Sequence, residues 1–535
     1  MSKVAGRSMR LLATALTVGG AGTLAAVVGG PGGVASADPQ MAKPVPALSC
    51  TGPVQSTISN PIDKKQIMIA DPECGFTPTL DSSGKAISTV YSGYLADSPA
   101  GGMANGGMSA YRVEVPTDWN GTVVMFAHGY AGTGDTVGVS NPTLRTYYID
   151  HGYAWAASSY AMNGYDVGTG VVDTHDLLNA FHAITGKTPR HRIMSGLSMG
   201  GEITAVEVEY YRHTYEAAMP YCGVLGANNL FDYYLGANVT AAALTSTTIQ
   251  YPSTLAAGLA YGLPPTGYGA AVTSELPTLG ITPVTTKAGT FFTTSLTPTG
   301  KLWSDTVEQL SGGTRPGFAS ALSYWNSFGF APLTNIPFLF GLYPGTTGGT
   351  IYYANGNIAG NQNTFYHFAD QKFKNLQSEL KLNLAALRVS RTVPFSSNPT
   401  TTELPDVVGD PGIPVLSLHG IGDLFVPLAM DQRYNQLMIA HGEGNLFVDR
   451  AIREVGHCSY TQSELQSGFQ ALVNWVNTGE KPAGDNILDP RVVSAPTFGC
   501  RFTDPTAGSH PNFRATSSCP PVSSGGEGGQ SEHGK

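Results

Sequence analysis

The chain has 535 residues, a formal net charge of −9, only 13% charged residues, 66 glycines and six cysteines. Beyond Lys3, Arg7 and Arg10 it shows no basic cluster, which argues against nucleic acid as a partner. A chain of this length is able to bury one large core or two domains, and no internal repeat divides it.

Residues 1–37 read as a secretory signal peptide. Three positive charges precede an apolar stretch from Leu11 to Val28, and Ala35-Ser36-Ala37 supplies a small-residue cleavage site. Arg7 and Arg10 are not adjacent, so a twin-arginine address is not indicated. Cleavage takes the charge from −9 to −12. No later run is long enough to span a bilayer, so the mature form is expected to be extracellular, without a membrane anchor. Disulfides persist in that compartment. Six thiols allow 15 pairings, among which sequence alone does not choose; proximity suggests Cys50 with Cys74 and Cys500 with Cys519, leaving Cys222 and Cys458 for each other.

Residues 38–90 are rich in proline and serine and read as an irregular N-terminal wrap. From 91 to 223 strands and helices alternate. Tyr111–Val115 alternates as a half-buried strand, and Thr122–Tyr130 is apolar on both faces, as in a central parallel strand. A short helix is expected over 141–151, a strand over 153–159 and a helix over 173–184, followed by the strand ending at Met194 and a helix to about 213. A strand over 217–222 closes this first part of an α/β, mostly parallel, doubly wound sheet.

The pattern stops over 224–411, a stretch rich in Gly, Thr, Pro and aromatic residues with helices expected at 254–261, 316–328 and 371–389. Its length points to an inserted lid or cap domain rather than a loop. Strand and helix resume over 412–480, with strands at 414–419 and 445–450 and helices at 428–440 and 461–476. A disulfide-bearing extension over 481–522 and a Gly-rich, disordered tail over 523–535 complete the chain.

The chemistry centres on Gly196-Leu197-Ser198-Met199-Gly200-Gly201. Strand, sharp turn and helix form the setting of a nucleophile elbow, where Gly196 and Gly200 permit the tight turn and Ser198 is presented at its tip. A serine needs a base, and the base an orienting acid. Asp423 follows the strand at 414–419 and His457 follows that at 445–450, in the order Ser, Asp, His. The plainer alternatives are a turn-initiating Asp423, a His457 that caps the final helix and a surface carboxylate at Glu454. Asp406, Asp410 and Asp449 are competing acids that fit the strand ends less naturally.

An oxyanion would be met by the backbone N–H groups of Met199 and Tyr130, with Gly129 allowing close approach and His128 shaping the loop. Asp173-Thr174-His175-Asp176 resembles a ligand cluster but reads as the capped start of a helix. No metal, nucleotide or redox cofactor is implied.

On His128-Gly129, Gly196–Gly201, Asp423 and His457, the chain resembles secreted bacterial members of the α/β-hydrolase superfamily over about 110–223 and 412–478. That resemblance implies a serine esterase, with peptidases of the prolyl-oligopeptidase type as relatives. Cys458 beside His457 is also similar to the tannase and feruloyl-esterase family, in which a disulfide joins the neighbours of the catalytic serine and histidine. Here Leu197, not cysteine, precedes Ser198. The expected substrate is a small-molecule or polymeric ester cleaved through an acyl-enzyme. A peptidase or amidase using the same triad, or an inactive hydrolase fold that serves in binding, is the alternative.

Overall fold

The computed structural model describes residues 50–102, 106–251, 266–287, 289–330, 336–343, 347–368, 375–514 and 519. The signal peptide expected at 1–37, the helix expected at 254–261 and the tail expected at 523–535 lie outside the described residues.

In chain order, β1 (Val54–Ser59) pairs antiparallel with β2 (Gln66–Ile69), and β3 (Ser88–Ala96) pairs antiparallel with β4 (Met108–Pro116). β5 (Thr122–Ala127) and β6 (Thr136–Val137) follow, then α1 (Arg145–Asp150), β7 (Ala154–Ser158) and α2 (Val167–Thr185). β8 (His191–Leu197), α3 (Met199–Tyr210) and β9 (Ala217–Tyr221) carry the serine turn. Between β9 and the next sheet strand lie α4 (Asn229–Thr245), α5 (Thr266–Leu279), the hairpin β10 (Ile281–Thr286) and β11 (Gly289–Thr294), α6 (Pro298–Leu310), α7 (Phe318–Ser327), α8 (Phe338–Gly341), α9 (Thr350–Tyr353) and α10 (Leu376–Ala385). β12 (Val415–Gly420), α11 (Ala429–Ala440), β13 (Phe447–Ile452) and α12 (Gln462–Thr478) complete the sheet, and α13 (Pro490–Val493) and α14 (Pro511–Arg514) follow it.

The fold is mixed α/β around an eight-stranded sheet of order β13-β12-β9-β8-β5-β7-β4-β3, parallel from β13 to β7 and antiparallel at β4 and β3. Strand alternation assigns side chains to opposite faces. Val123, Met125 and Ala127 join a cluster with Val171 and Phe181 of α2, Ile203 of α3 and Tyr434 of α11. Val124 and Phe126 join Tyr148 of α1 and Phe469 and Leu472 of α12 on the other face. Because both faces are covered, β5 is buried throughout, which explains its unbroken apolar run. Trp303, Leu322, Phe340 and Tyr366 of the intervening segment belong to the same cluster as Val123 and Met125.

Two local expectations are corrected. The stretch 38–90 is not irregular where it is described: β1 and β2 form a three-stranded sheet with β6. Pro53, Pro61 and Pro72 bracket these strands rather than interrupt them, as expected of a residue that cannot donate to a ladder. Asp173-Thr174-His175-Asp176 is not a helix start but lies inside α2, whose cap is Asp166, accepting from the Thr169 N–H. The glycines of the first turn hid that start. A Cβ at Gly168 would collide with the Thr402 carbonyl, so glycine stands there for close approach rather than for a loop.

Buried Glu114 on β4 accepts from Ser88, from the backbone and side chain of Thr79, from Arg145 and from Trp155 Nε1 at 3.0 Å. Burial pushes its carboxyl up, but the Arg145, Ser88 and Thr79 bonds outweigh this and hold it below the ordinary value. Trp155→Ala empties a fully buried site and removes one of these donors. The expected loss is about 3–5 kcal/mol in denaturant unfolding.

Candidate functional site

Ser198 sits between β8 and α3 with φ 57° and ψ −124°, a positive-φ conformation that costs a non-glycine residue about 1–3 kcal/mol. Its neighbours make the turn possible. A Cβ at Gly196 would collide with the Gly200 carbonyl, and one at Gly200 with the Ala127 carbonyl of β5. A Cβ at Gly129 would lie 3.1 Å from that of Ser198, so the loop after β5 passes directly against the serine. Backbone bonds from Ser198 N to Tyr221 O (3.2 Å) and from Val224 N to Ser198 O (3.2 Å) tie the turn to the end of β9.

The structure brings Ser198, His457 and Asp423 together. Ser198 Oγ lies 2.8 Å from His457 Nε2, and His457 Nδ1 lies 2.6 Å from Asp423 Oδ2. The second carboxylate oxygen of Asp423 accepts the backbone N–H groups of Phe425 (2.9 Å) and Val426 (3.0 Å), which fixes its plane. Since the carboxylate accepts at Nδ1, the imidazole holds its proton there and turns a lone pair toward the serine hydroxyl. Serine and acid are buried, while the histidine side chain keeps 18% exposure.

The competing acids lie elsewhere, and it is Asp423 that His457 meets. Asp406 accepts from Asn228 at 3.0 Å, Asp410 pairs with Arg212, and Asp449 is buried beside Asp431. Glu454 is not a surface carboxylate. It is fully buried and bonds to Arg514, His510 and the backbone N–H groups of Val455 and Gly456.

His128 is buried, stacks on Tyr160 at 4.0 Å and points Nδ1 and Nε2 at the carbonyls of Gly129 (2.7 Å) and Ser159 (3.3 Å). Burial pushes its pKa down, favouring the neutral ring. Met199 opens α3, so its N–H has no acceptor within the helix. Tyr130 follows Gly129 beside Gly348, and burial pushes its phenol up to about 12.

The disulfides are Cys50–Cys74, Cys222–Cys458 and Cys500–Cys519. Cys222 directly follows β9 and Cys458 directly follows His457, so the second bridge anchors the histidine loop to the sheet. Among the described residues, Cys222, His457 and Cys458 are the one group with metal-ligand spacing. Both sulfurs are bonded to each other and the imidazole is engaged at both nitrogens, so the set offers no ligands.

Several contributors are not evident from sequence. The acid loop after β12 is held by the intervening segment: Arg315 Nε donates to Ile421 O (2.6 Å), Tyr233 to Leu424 O (3.0 Å) and Tyr234 to Phe425 O (2.8 Å). Trp325 Nε1 lies 3.0 Å from Gly422 O and 3.1 Å from Val455 O, bridging the acid and histidine loops. Phe425 sets its ring edge-on to His457 at 5.0 Å, with Phe338 behind it at 5.4 Å. An aromatic-rich insertion was the available signal, but it does not say which rings reach the site.

No family model matches the chain. An o-phthalyl amidase from Xanthobacter agilis is 33% identical over 78 residues, which are 15% of this chain and 17% of that protein, so the match spans less than a fifth of the relative's length. The solved structures to which the chain is similar include an esterase from Aspergillus oryzae, at 13% identity, 74% and 88% coverage of the two chains and a TM-score of 0.35. Tannin acyl hydrolase from Aspergillus niger gives 12% identity, 76% and 86% coverage and a TM-score of 0.38. The rice cell wall degrading esterase LipA from Xanthomonas oryzae gives 13%, 74% and 92%, and 0.34.

Replacing both Cys222 and Cys458 by alanine opens a bridge between residues 236 positions apart. Unfolding free energy is expected to fall by about 3–5 kcal/mol, measured in denaturant under non-reducing conditions against the parent protein.

Proposed function

We propose that the chain is a secreted serine hydrolase of α/β-hydrolase architecture that cleaves carboxylic esters through an acyl-enzyme. The observation that carries this reading is the continuous hydrogen-bonded series Ser198–His457–Asp423, with the serine at a strained turn between strand and helix. Ser198 Oγ attacks the ester carbonyl as His457 Nε2 takes its proton. Asp423 holds the Nδ1 proton and stabilises the imidazolium that forms. The N–H groups of Met199 and Tyr130 receive the oxyanion, each such donor lowering the barrier by about 3 kcal/mol. His457 then protonates the departing alcohol, and the same steps with water release the acid.

Residues 224–411 act as the lid in this reading, and Phe425 with Phe338 forms an apolar wall beside His457 that suits an acyl or aromatic group. The disulfides support export. The local identity with an amidase favours, as a second reading, cleavage of an amide by the same residues.

Ser198→Ala should reduce hydrolysis of a p-nitrophenyl acyl ester to background while circular dichroism and thermal midpoint stay at parent values; parental turnover would end the proposal. Asp423→Asn, which disturbs the tautomer, should lower kcat by about 10⁴. Rates on an ester and its matched anilide separate the two readings, the ester being faster if esterase is correct.

A further inference from the structure

The C-terminal extension reaches back to the two loops that carry Asp423 and His457. Its loop is closed by Cys500–Cys519 and contains the single turn α14. Within it, Arg514 is fully buried, and its guanidinium reaches both ends of the histidine loop. Nε donates to Glu454 Oε2 (2.7 Å), Nη2 to Ser459 O (3.0 Å) and Nη1 to Glu464 Oε1 (2.6 Å), the acid of the capping box that starts α12. Glu454 uses its other oxygen for the N–H groups of Val455 (2.8 Å) and Gly456 (3.0 Å) and for His510. The backbone oxygen of Glu454 in turn accepts the N–H of Gly422 in the acid loop at 2.9 Å.

Phe513 completes the arrangement. A Cβ added at Gly422 would lie 2.6 Å from its ring, and one at Gly317, before α7, would lie 2.8 Å from it. The ring therefore occupies a notch between the acid loop and the intervening segment, and only glycine leaves room for it. Tyr324 of α7 packs edge-on against His510 at 4.9 Å. One turn thus touches the acid loop, the histidine loop and the segment above them. A covering loop with no role in the site has no need of a buried cation at the base of the histidine loop.

Resting on the triad assigned above, we propose that His510, Phe513 and Arg514 form a positioning latch that sets the distance between the acid and histidine loops, with the Cys500–Cys519 bridge holding the latch in place. None of the three is assigned a contact with the reacting atoms. They act through Glu454 and Gly422 on the His457–Asp423 bond.

The test uses the full chain with Phe513→Ala, Phe513→Leu, Arg514→Lys and the pair Cys500→Ser with Cys519→Ser. Misplacing a catalytic group by an ångström costs about 100-fold, so Phe513→Ala and Arg514→Lys should lower kcat by about 10- to 100-fold with KM within about 3-fold. Phe513→Leu, which refills the notch, should recover most of kcat, and the serine pair should fall between. Hydrogen exchange read by mass spectrometry should rise over 420–427 and 454–460 and stay unchanged over β5 and α2. The latch is overturned if Phe513→Ala and Arg514→Lys keep parental kcat and parental exchange in both loops. It is also overturned if activity falls only in step with a uniform rise in exchange across the whole chain. Parental activity in Ser198→Ala would sink the triad instead, and exchange in the two loops would still decide whether the turn holds them.

Discussion

A single imidazole bonded at both of its nitrogens is the constraint that the molecule is arranged to meet. Its two partners come from a turn 259 residues earlier and a loop 34 residues earlier, and hydrogen-bond distances tolerate little error. A parallel sheet supplies the coarse alignment, because β8, β12 and β13 all end on one edge. The fine alignment is left to loops, and loops need outside support. Here it comes from a disulfide, from backbone carbonyls bound by Arg315, Trp325, Tyr233 and Tyr234, and from buried Arg514.

This division of labour explains what was legible in the sequence. β5, β8, β9, β12 and β13 announce themselves because strands buried on both faces are continuously apolar, and the positions of Ser198, Asp423 and His457 follow from where those strands end. α2 begins six residues before its apolar periodicity does, because Gly168 and Gly170 look like a loop and are instead packing sites. β1 and β2 are masked in the sequence by the prolines that stand at their ends. The plainer alternative of a surface carboxylate at Glu454 fails for a different reason: its partners Arg514 and His510 lie over fifty residues away, a separation that periodicity does not register. His510 and Arg514 are the only titratable side chains between Pro505 and Cys519, a faint signal that becomes meaningful only once the fold is known.

The segment between β9 and β12 also takes on a different character. Expected as a lid, it shares its apolar interior with the sheet and holds the acid loop through four side chains. Substitutions at Trp325 or Arg315 therefore act on Asp423 and His457 through the backbone as much as on any pocket above them. Buried Arg315 spends its donors on the carbonyls of Ile421 and Gly313 and on the Ser311 hydroxyl, so its charge serves loop geometry.

The Cys222–Cys458 bridge has a further effect on connectivity. It turns everything between β9 and the histidine loop into a closed covalent ring that includes the whole intervening segment and β12. A single peptide-bond break anywhere in that ring leaves one molecule, with the serine-bearing and histidine-bearing parts still joined at their nearest point.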